Sequence, residues 1–576
     1  MHDAASASPK PSYACGGSGP PLLGCTIGQA LDRSVSLYPG QPALIARHQQ
    51  LRYTYRSFLE EVELAARGLL QLGVQKGDRV GVWATNCAQW VITQFATAKI
   101  GAILVTINPA FRAAELEYAL RQSECGTLVL IPSFRDCDYV QTLASICPDL
   151  RSSRPGELHS PKLPSLRNLV LIGGQAASGI DAIYGWSDLI RMGQSVPEEA
   201  LREREAALDF DDPINIQYTS GTTGFPKGAM LSHHNIVNNG LLMGAAMKLT
   251  HHDRLAIPVP FYHCFGMVLS NMVCVVAGAA MVLPEAHFNA LATLEAVEAE
   301  HCTALHGVPT MFIAELEHPE FRRFDLSTLR TGIMAGSPCP IEIMKRVVGE
   351  MHCREMTIAY GLTETSPVVT QTTTDDPIEM RVGSVGRPMP HTEIKLIDPV
   401  DGQIVPRGQP GELCARGYMV MKGYYKNPEA TRDALDERGW LHSGDIATMD
   451  ENDYCRITGR VKDMICRGGE NIYPREIEEF LYTHPAVADV QVIGVPDRKY
   501  VEQVAAWIKL KEGVVASEED IRCFCKGRIA DFKIPRYVKF VDSFPMTVSG
   551  KVQKFKMRET AVEDWGLAAA AHIETA

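Results

Sequence analysis

The sequence predicts an α/β protein: a large N-terminal domain of α/β-layered parallel sheets carrying a β-rich subdomain, followed by a small α+β C-terminal domain. Three observations predict it. Between residues 79 and 131 short apolar runs alternate with amphipathic segments, the pattern of a parallel sheet covered by helices. At 218–228 a stretch rich in glycine and hydroxyls follows the strand-like run Ile214-Asn215-Ile216-Gln217, where open sheets of this kind hold ligands. Beyond residue 460 the chain carries a helix–strand–strand–helix–strand pattern of its own.

Length and composition agree. A chain of 576 residues is too long for one core. Its 45% apolar and 22% charged residues are ordinary for a globular protein. A net charge of −12 argues against a general nucleic-acid binder or an anionic-membrane binder. Residues 521–560 reverse the sign, with ten Lys or Arg against three acids. That patch reads either as a receiver of an anionic substrate or as a solvated face. Sixteen cysteines without a C-x-x-C pair read as reduced thiols in a cytoplasmic compartment. Residues 1–25 show neither signal nor transit peptide and read as a disordered lead. The uncharged stretch 255–284 is broken by Ser270, Asn271 and Gly278, so it reads as a buried helix entering a buried strand, not as a transmembrane span.

In chain order, Thr26 caps a helix through Ile27, Ala30 and Leu31. Strands 42–46 and 51–55 precede a helix over 57–72. Strands 79–84, 102–107 and 127–131 then alternate with helices 88–100 and 113–121. Residues 151–166, with three prolines, read as an exposed loop. Ser232-His233-His234-Asn235 opens another helix. His233, His234, His251 and His252 have no metal-ligand spacing and read as capping or surface residues. Loops at 258–266, 307–309, 335–340 and 359–366 follow strand-like runs. Glycine- and proline-rich turns mark the β-rich subdomain over about 382–455. A boundary at 460–462 separates the large domain (26–459) from the small one (463–576), whose expected elements are 475–482, 489–495, 504–510, 517–529 and 537–541.

The 218–228 stretch, Tyr218-Thr219-Ser220-Gly221-Thr222-Thr223-Gly224-Phe225-Pro226-Lys227-Gly228, has the chemistry of a phosphate cradle. Its glycines free the backbone to turn N–H groups toward an anion, and hydroxyls and an ammonium add donors. It is not a Walker A loop. Pro226 stands where the second glycine belongs, and Gly228 replaces the magnesium-holding Ser or Thr after Lys227.

This loop is followed, in order and spacing, by Tyr360-Gly361-Leu362-Thr363-Glu364, Ser443-Gly444-Asp445, Gly459-Arg460 and Ser549-Gly550-Lys551. Together the five motifs resemble the adenylate-forming (AMP-binding) superfamily over about residues 26–560. Arg467-Gly468-Gly469-Glu470-Asn471-Ile472-Tyr473-Pro474 and Phe532-Lys533-Ile534-Pro535 are most similar to its medium-chain fatty acyl-CoA synthetases. The resemblance implies a two-step reaction. A carboxylate attacks the α-phosphate of ATP, giving an acyl-adenylate and pyrophosphate, and the thiol of coenzyme A then displaces AMP.

The resemblance also assigns roles. Thr219, Ser220, Thr222 and Thr223, with Lys227, would hold the β- and γ-phosphates, in an ATP-binding loop that includes Gly221, Gly224, Phe225 and Pro226. Glu364 would hold Mg2+, with Thr363 on the phosphates. Gly336, Ser337 and Pro338 would lie against adenine, with Tyr360 stacked on it beside Gly361. Asp445 would accept from the ribose hydroxyls and Arg460 would donate to ribose and phosphate. Lys551 would neutralise the α-phosphate. Lys462 would be the hinge about which the small, mobile domain turns, bringing Gly468, Gly469 and Glu470 to the pantetheine channel and Lys533 toward the coenzyme A nucleotide. His263 lies where relatives line the acyl tunnel, and either orients the carboxylate or is a core histidine. The resemblance admits a homodimer. Small apolar residues (Val268, Leu269, Gly307, Val308, Ala335) favour an alkyl chain. A long-chain or aryl-acid ligase is the alternative, and an inactive nucleotide-binding scaffold would be expected to have lost Glu364 or Lys551.

Overall fold

The computed structural model describes residues 10–173, 180–219, 226–337, 339–460, 463–467, 470–546 and 552–567, with the backbone alone at 466, 470 and 471. Contacts divide the chain into two compact units. One comprises Cys15–Glu393 and Ala415–Leu441; the other comprises Met1–Ala14, Ile394–Cys414 and His442–Ala576. The chain therefore crosses between units at 14/15, 393/394, 414/415 and 441/442. Residues just before 460 group with the C-terminal residues because the helix Pro474–Tyr482 packs on the strand Cys455–Arg460.

The larger unit is built on two sheets. The first runs in the order Tyr184–Gly185, Asn168–Leu171, Thr127–Leu130, Arg79–Trp83, Ile103–Thr106, Pro213–Thr219, Lys227–Ser232 and Gly423–Tyr424. It is parallel through Pro213–Thr219, and its last two strands are antiparallel. The second has a parallel centre of Glu355–Gly361, Thr331–Ala335, Ala304–Gly307, Arg254–Ala256, Ala280–Leu283 and Pro42–Ala46, flanked by antiparallel edge strands. Central strands such as Ile103–Thr106 and Thr127–Leu130 are buried along their whole length, as parallel sheets covered on both faces require.

The expected elements formed where local signals were strong. Thr26 and Gln29 close a capping box on Ile27–Leu37, and Ser232 and Asn235 do the same for His233–Ala246. The helix Ala88–Ile100 touches strands of both sheets. Its Lys99 is almost wholly buried and pairs with Asp32 at 2.8 Å and Glu205 at 2.6 Å, tying three helices together. The uncharged stretch 255–284 contains a π-helical turn, Met267–Met272, a short helix Val273–Ala277 and the buried strand Ala280–Leu283. Among the described residues no helix is long and apolar enough to cross a membrane.

One expectation narrows and another needs correction. Of the capping and surface alternatives His233 takes the first: it is fully buried, and its Nδ1 accepts the Ile27 N–H at 3.1 Å. Burial pushes its pKa down to about 3, so it stays neutral. The lead is ordered from Lys10 onward. Tyr13–Cys15 forms a strand with Ala14 buried, and the Ser12 N–H donates to Val405 O at 2.8 Å. Small residues with Pro and Gly make that segment look unable to fold, yet backbone pairing needs no large side chains.

The other unit holds most of a five-stranded sheet ending in Leu441–Met449 and Cys455–Arg460. It also contains a sheet in the order Glu470–Ile472, Ile465–Arg467, Val501–Leu510 and Val487–Asp497, with Tyr537–Phe540 pairing parallel to Val501–Leu510. The expected helices occur at Pro474–Tyr482 and Glu518–Cys525, the latter with the Ser517–Asp520 capping box. A further helix, Lys554–Asp564, was not expected. Five of the ten basic residues of the stretch 521–560 form ion pairs: Arg522 with Glu518, Lys533 with Glu476, Lys539 with Asp564, Lys554 with Glu478 and Arg558 with Glu502.

Candidate active site

In the larger unit, the antiparallel pair Pro213–Thr219 and Lys227–Ser232 sets Thr219 opposite Lys227. The two ends of the phosphate-loop motif thereby meet. Ser220, Gly221, Thr222, Thr223, Gly224 and Phe225 lie outside the described residues. Both flanks are anchored by phenols. The Tyr218 hydroxyl donates to Gln122 Oε1 at 2.6 Å, and the Tyr118 hydroxyl donates to Pro226 O at 3.1 Å.

Glu364 comes to the foot of this motif. It sits in the single turn Thr363–Thr365, and its carbonyl accepts the Met421 N–H at 2.9 Å. The turn is tight: a Cβ on Gly361 would stand 1.7 Å from Pro367 O, so only glycine fits. The Glu364 carboxylate accepts from the Tyr424 hydroxyl at 2.7 Å and lies 3.5 Å from Thr219 Oγ1. The Lys227 ammonium stands 5.2 Å from the Tyr424 ring centroid. Burial and the adjacent carboxylate push the Tyr424 phenol well above its ordinary pKa, so it remains a donor. A carboxylate beside hydroxyls is a hard-oxygen donor set that suits Mg2+, which needs one or two carboxylates and takes its remaining ligands from water and phosphate.

Tyr424 escaped sequence reasoning. It is sixty residues from Glu364, and only the pairing of Ala229 with Tyr424 across the sheet edge brings it in. No spacing signal could have found it.

The remaining motifs of this unit gather at the C-terminal ends of parallel strands. Thr331–Ala335 and Glu355–Gly361 pair with Ala335 opposite Ala359, so Gly336 and Tyr360 follow at adjacent positions. Gly336 has φ +89°, a conformation that favours glycine. Ser337 is half-buried, and Pro338 lies outside the described residues. His263 caps the next turn: its Nδ1 accepts the Phe265 N–H at 3.1 Å, which assigns the ring proton of the neutral form to Nε2. Cys264 Sγ lies 3.8 Å from Thr363 Oγ1, joining that loop to the Glu364 turn. Beneath it, His306 Nδ1 lies 3.1 Å from Ser270 Oγ, and burial pushes this histidine down to about 3.

In the other unit, Asp445 and Arg460 face each other across two antiparallel strands, with Arg460 Nε 3.0 Å from Asp445 Oδ1. Asp445 is buried while Arg460 is largely exposed. The Ser443 hydroxyl accepts the Asp445 N–H at 3.0 Å, and Glu412 Oε1 accepts the Gly444 N–H at 3.0 Å, fixing the turn. Lys533 is held by Glu476. Glu470 begins the strand Glu470–Ile472. Lys462, Gly468, Gly469 and Lys551 lie outside the described residues.

Residues 31–425 match the family described as AMP-binding enzyme, and residues 476–551 match the AMP-binding enzyme C-terminal domain. The chain belongs to the AMP-binding enzyme family. This AMP-binding enzyme is 53% identical over 546 residues to the putative acyl-CoA synthetase YngI of Bacillus subtilis (strain 168), covering 95% of this chain and 99% of that one. It is 44% identical over 558 residues to the medium-chain acyl-CoA ligase ACSF2, mitochondrial, of Danio rerio, covering 96% and 91%. Among solved structures it is similar to ATP-bound MatB from Rhodopseudomonas palustris, with a TM-score of 0.80 and 28% identity over 94% of this chain and 100% of that one. It is also similar to the anthranilate CoA ligase AuaEII in complex with anthranoyl-AMP, with a TM-score of 0.81 and 27% identity over 95% and 99%.

Proposed function

We propose that this AMP-forming acid–CoA ligase acts on medium-chain fatty acids. The observation that carries the assignment of its first step is the junction of Glu364, Tyr424, Thr219 and Lys227 at the foot of the phosphate motif. Thr219 and Lys227, with Ser220, Thr222 and Thr223, bind the β- and γ-phosphates of ATP. Glu364 would hold Mg2+, which when bound neutralises phosphate charge. Tyr424 fixes the carboxylate that does so. Gly336, Ser337 and Tyr360 line the adenine position.

Asp445, an ionised acceptor, takes the ribose hydroxyls, and Arg460, its present partner, donates beside them. Lys551 supplies the ammonium that offsets the charge developing on the α-phosphate as the carboxylate attacks. His263 Nε2–H can donate to the acid's carboxylate and orient it. In the second half-reaction the coenzyme A thiol attacks the acyl carbonyl and AMP leaves. Gly468, Gly469, Glu470 and Lys533 serve that step, with Lys462 as the hinge.

An alkyl substrate is supported by the apolar residues Phe261, Phe265, Val268, Leu269 and Val308, all buried in one cluster, and medium length by the name of the 44% identical relative. Among the described residues the fifteen cysteines form no disulfide, which fits a reducing, cytoplasm-like compartment.

An AMP-release assay with coenzyme A across straight-chain acids and benzoates tests the reading. Highest kcat/KM at intermediate alkanoate length is expected. Turnover of benzoates alone, or of no alkanoate, would overturn it.

A further inference from the structure

Beside the turn that presents Asp445, three side chains of different chemistry converge. Glu412 and Cys414 extend from the strand Gly411–Gly417, two residues apart and hence on one face. His442 comes from the neighbouring strand Leu441–Met449. His442 Nδ1 lies 3.1 Å from Glu412 Oε2 and 3.6 Å from Cys414 Sγ. The three ligand atoms all fall within 4.8 Å of one another. Cys414 is buried and the other two are half-buried, so a cation would have a route from solvent past His442.

The geometry can be compared with a metal's demands. Tetrahedral Zn2+ with Zn–N and Zn–O near 2.05 Å and Zn–S near 2.3 Å requires N···O separations of about 3.3 Å and N···S separations of about 3.6 Å. The observed 3.1 and 3.6 Å match these two separations, while the Glu412–Cys414 pair, which lies within 4.8 Å, is drawn to about 3.6 Å by ligation, chiefly by a shift of Glu412. A carboxylate, an imidazole and a thiolate form a borderline-soft donor set that selects Zn2+ or a similar transition ion over Mg2+. Three protein ligands also leave a fourth position for water. Charge is satisfactory, since Glu412 and an ionised Cys414 together offset a divalent ion. The second oxygen of Glu412 already accepts the Gly444 N–H at 3.0 Å, the outer hydrogen bond that orients a ligating carboxylate.

We propose that Glu412, Cys414 and His442 bind a soft divalent transition-metal cation. This site is distinct in chemistry and position from the oxygen site of Glu364. Occupancy replaces the His442–Glu412 hydrogen bond by two metal bonds and releases the thiol proton. Because Glu412 also holds Gly444, a bound ion re-sets the Ser443-Gly444-Asp445 turn and weakens ATP binding. This last consequence rests on the ribose role proposed for Asp445; the binding itself does not.

The test uses the full chain, stripped with chelator and titrated with Zn2+ against a chromophoric indicator. Cys414→Val, with folding checked by thermal melting, is run in parallel. The wild type is expected to bind one more equivalent than the variant. Co2+ in place of Zn2+ is expected to give a thiolate charge-transfer band that the variant lacks. Equal stoichiometry and identical Co2+ spectra would overturn the site. If Cys414→Val does not fold, the same comparison with His442→Ala decides it. In the second arm, Zn2+ is expected to raise KM for ATP at least threefold in the wild type and not in Cys414→Val. Binding without that difference would overturn the coupling while leaving the site.

Discussion

Replacing Tyr424 by Phe removes one atom from the junction beneath the phosphate motif. The phenol is nearly buried, and its hydroxyl donates at 2.7 Å to Glu364 Oε1. A hydrogen bond to a charged group contributes about 1.5–3 kcal/mol. The ring stays, so the contact with the Lys227 ammonium at 5.2 Å, worth about 0.5–1 kcal/mol for such pairs, is retained. Glu364 keeps Thr219 as a neighbour and has water within reach, which recovers part of the loss. The net expectation is about 1.4 kcal/mol, a tenfold fall in kcat/KM for MgATP.

The assay is adenylation measured by pyrophosphate release at varied MgATP, together with a Mg2+ titration. Both the half-saturating Mg2+ concentration and KM for MgATP should rise, while the thioester step from supplied acyl-adenylate should not change. Glu364→Gln, which removes the charge itself, should cost at least tenfold more. A Tyr424→Phe enzyme within twofold of wild type in kcat/KM and Mg2+ requirement would refute the reasoning that Tyr424 fixes the metal carboxylate.

Three further outcomes follow from the same geometry. Lys551→Ala should abolish adenylate formation yet still convert a supplied acyl-adenylate to thioester; an equal fall in both half-reactions would sink its assignment. Glu315 is buried with neither carboxylate oxygen hydrogen-bonded, and burial holds its pKa well above 4.5. A raised folded-state pKa means its stability contribution is full below the unfolded carboxylate range, near 4.3, and is lost as pH rises. Glu315→Gln should therefore raise the melting temperature at pH 8 more than at pH 5, and equal shifts would contradict this. His233 and His306, both pushed down to about 3 by burial, bind protons only on unfolding, so stability is present above about pH 6.5 and lost below it. Each contributes a slope of about 1.4 kcal/mol per pH unit between roughly pH 6 and 4. His306→Leu should halve the pair's contribution to the pH dependence of the urea midpoint, and an unchanged slope would refute it.

The sequence was most legible where a signal is local. Capping boxes at Thr26, Ser232 and Ser517 appear at the positions their spacing predicts, because a cap is decided by four consecutive residues. Strand–helix alternation gave the parallel sheets for the same reason. It was least legible where partners are distant. Tyr424 reaches Glu364 through an edge strand of two residues, and Glu412 reaches His442 across neighbouring strands. His233 read as capping or surface, and only the fold shows that the helix start it satisfies lies more than two hundred residues earlier. The lead from Lys10 folds by donating its backbone to Val405, which composition does not encode. The role of the basic stretch 521–560 was also undecided by charge alone, since its acidic partners Glu476, Glu478 and Glu502 lie outside it.

The four crossings of the chain between its two units bear on how the protein can be made and cut. Tyr424 lies in the returning segment Ala415–Leu441, after the excursion Ile394–Cys414. A ribosome that has released residue 393 has therefore delivered Glu364 without its phenol. A fragment ending there would carry the phosphate motif beside a carboxylate lacking that donor. Dissection of the enzyme into autonomous halves thus calls for reconnected or permuted chains, because every single scission strands part of one unit on the other's polypeptide.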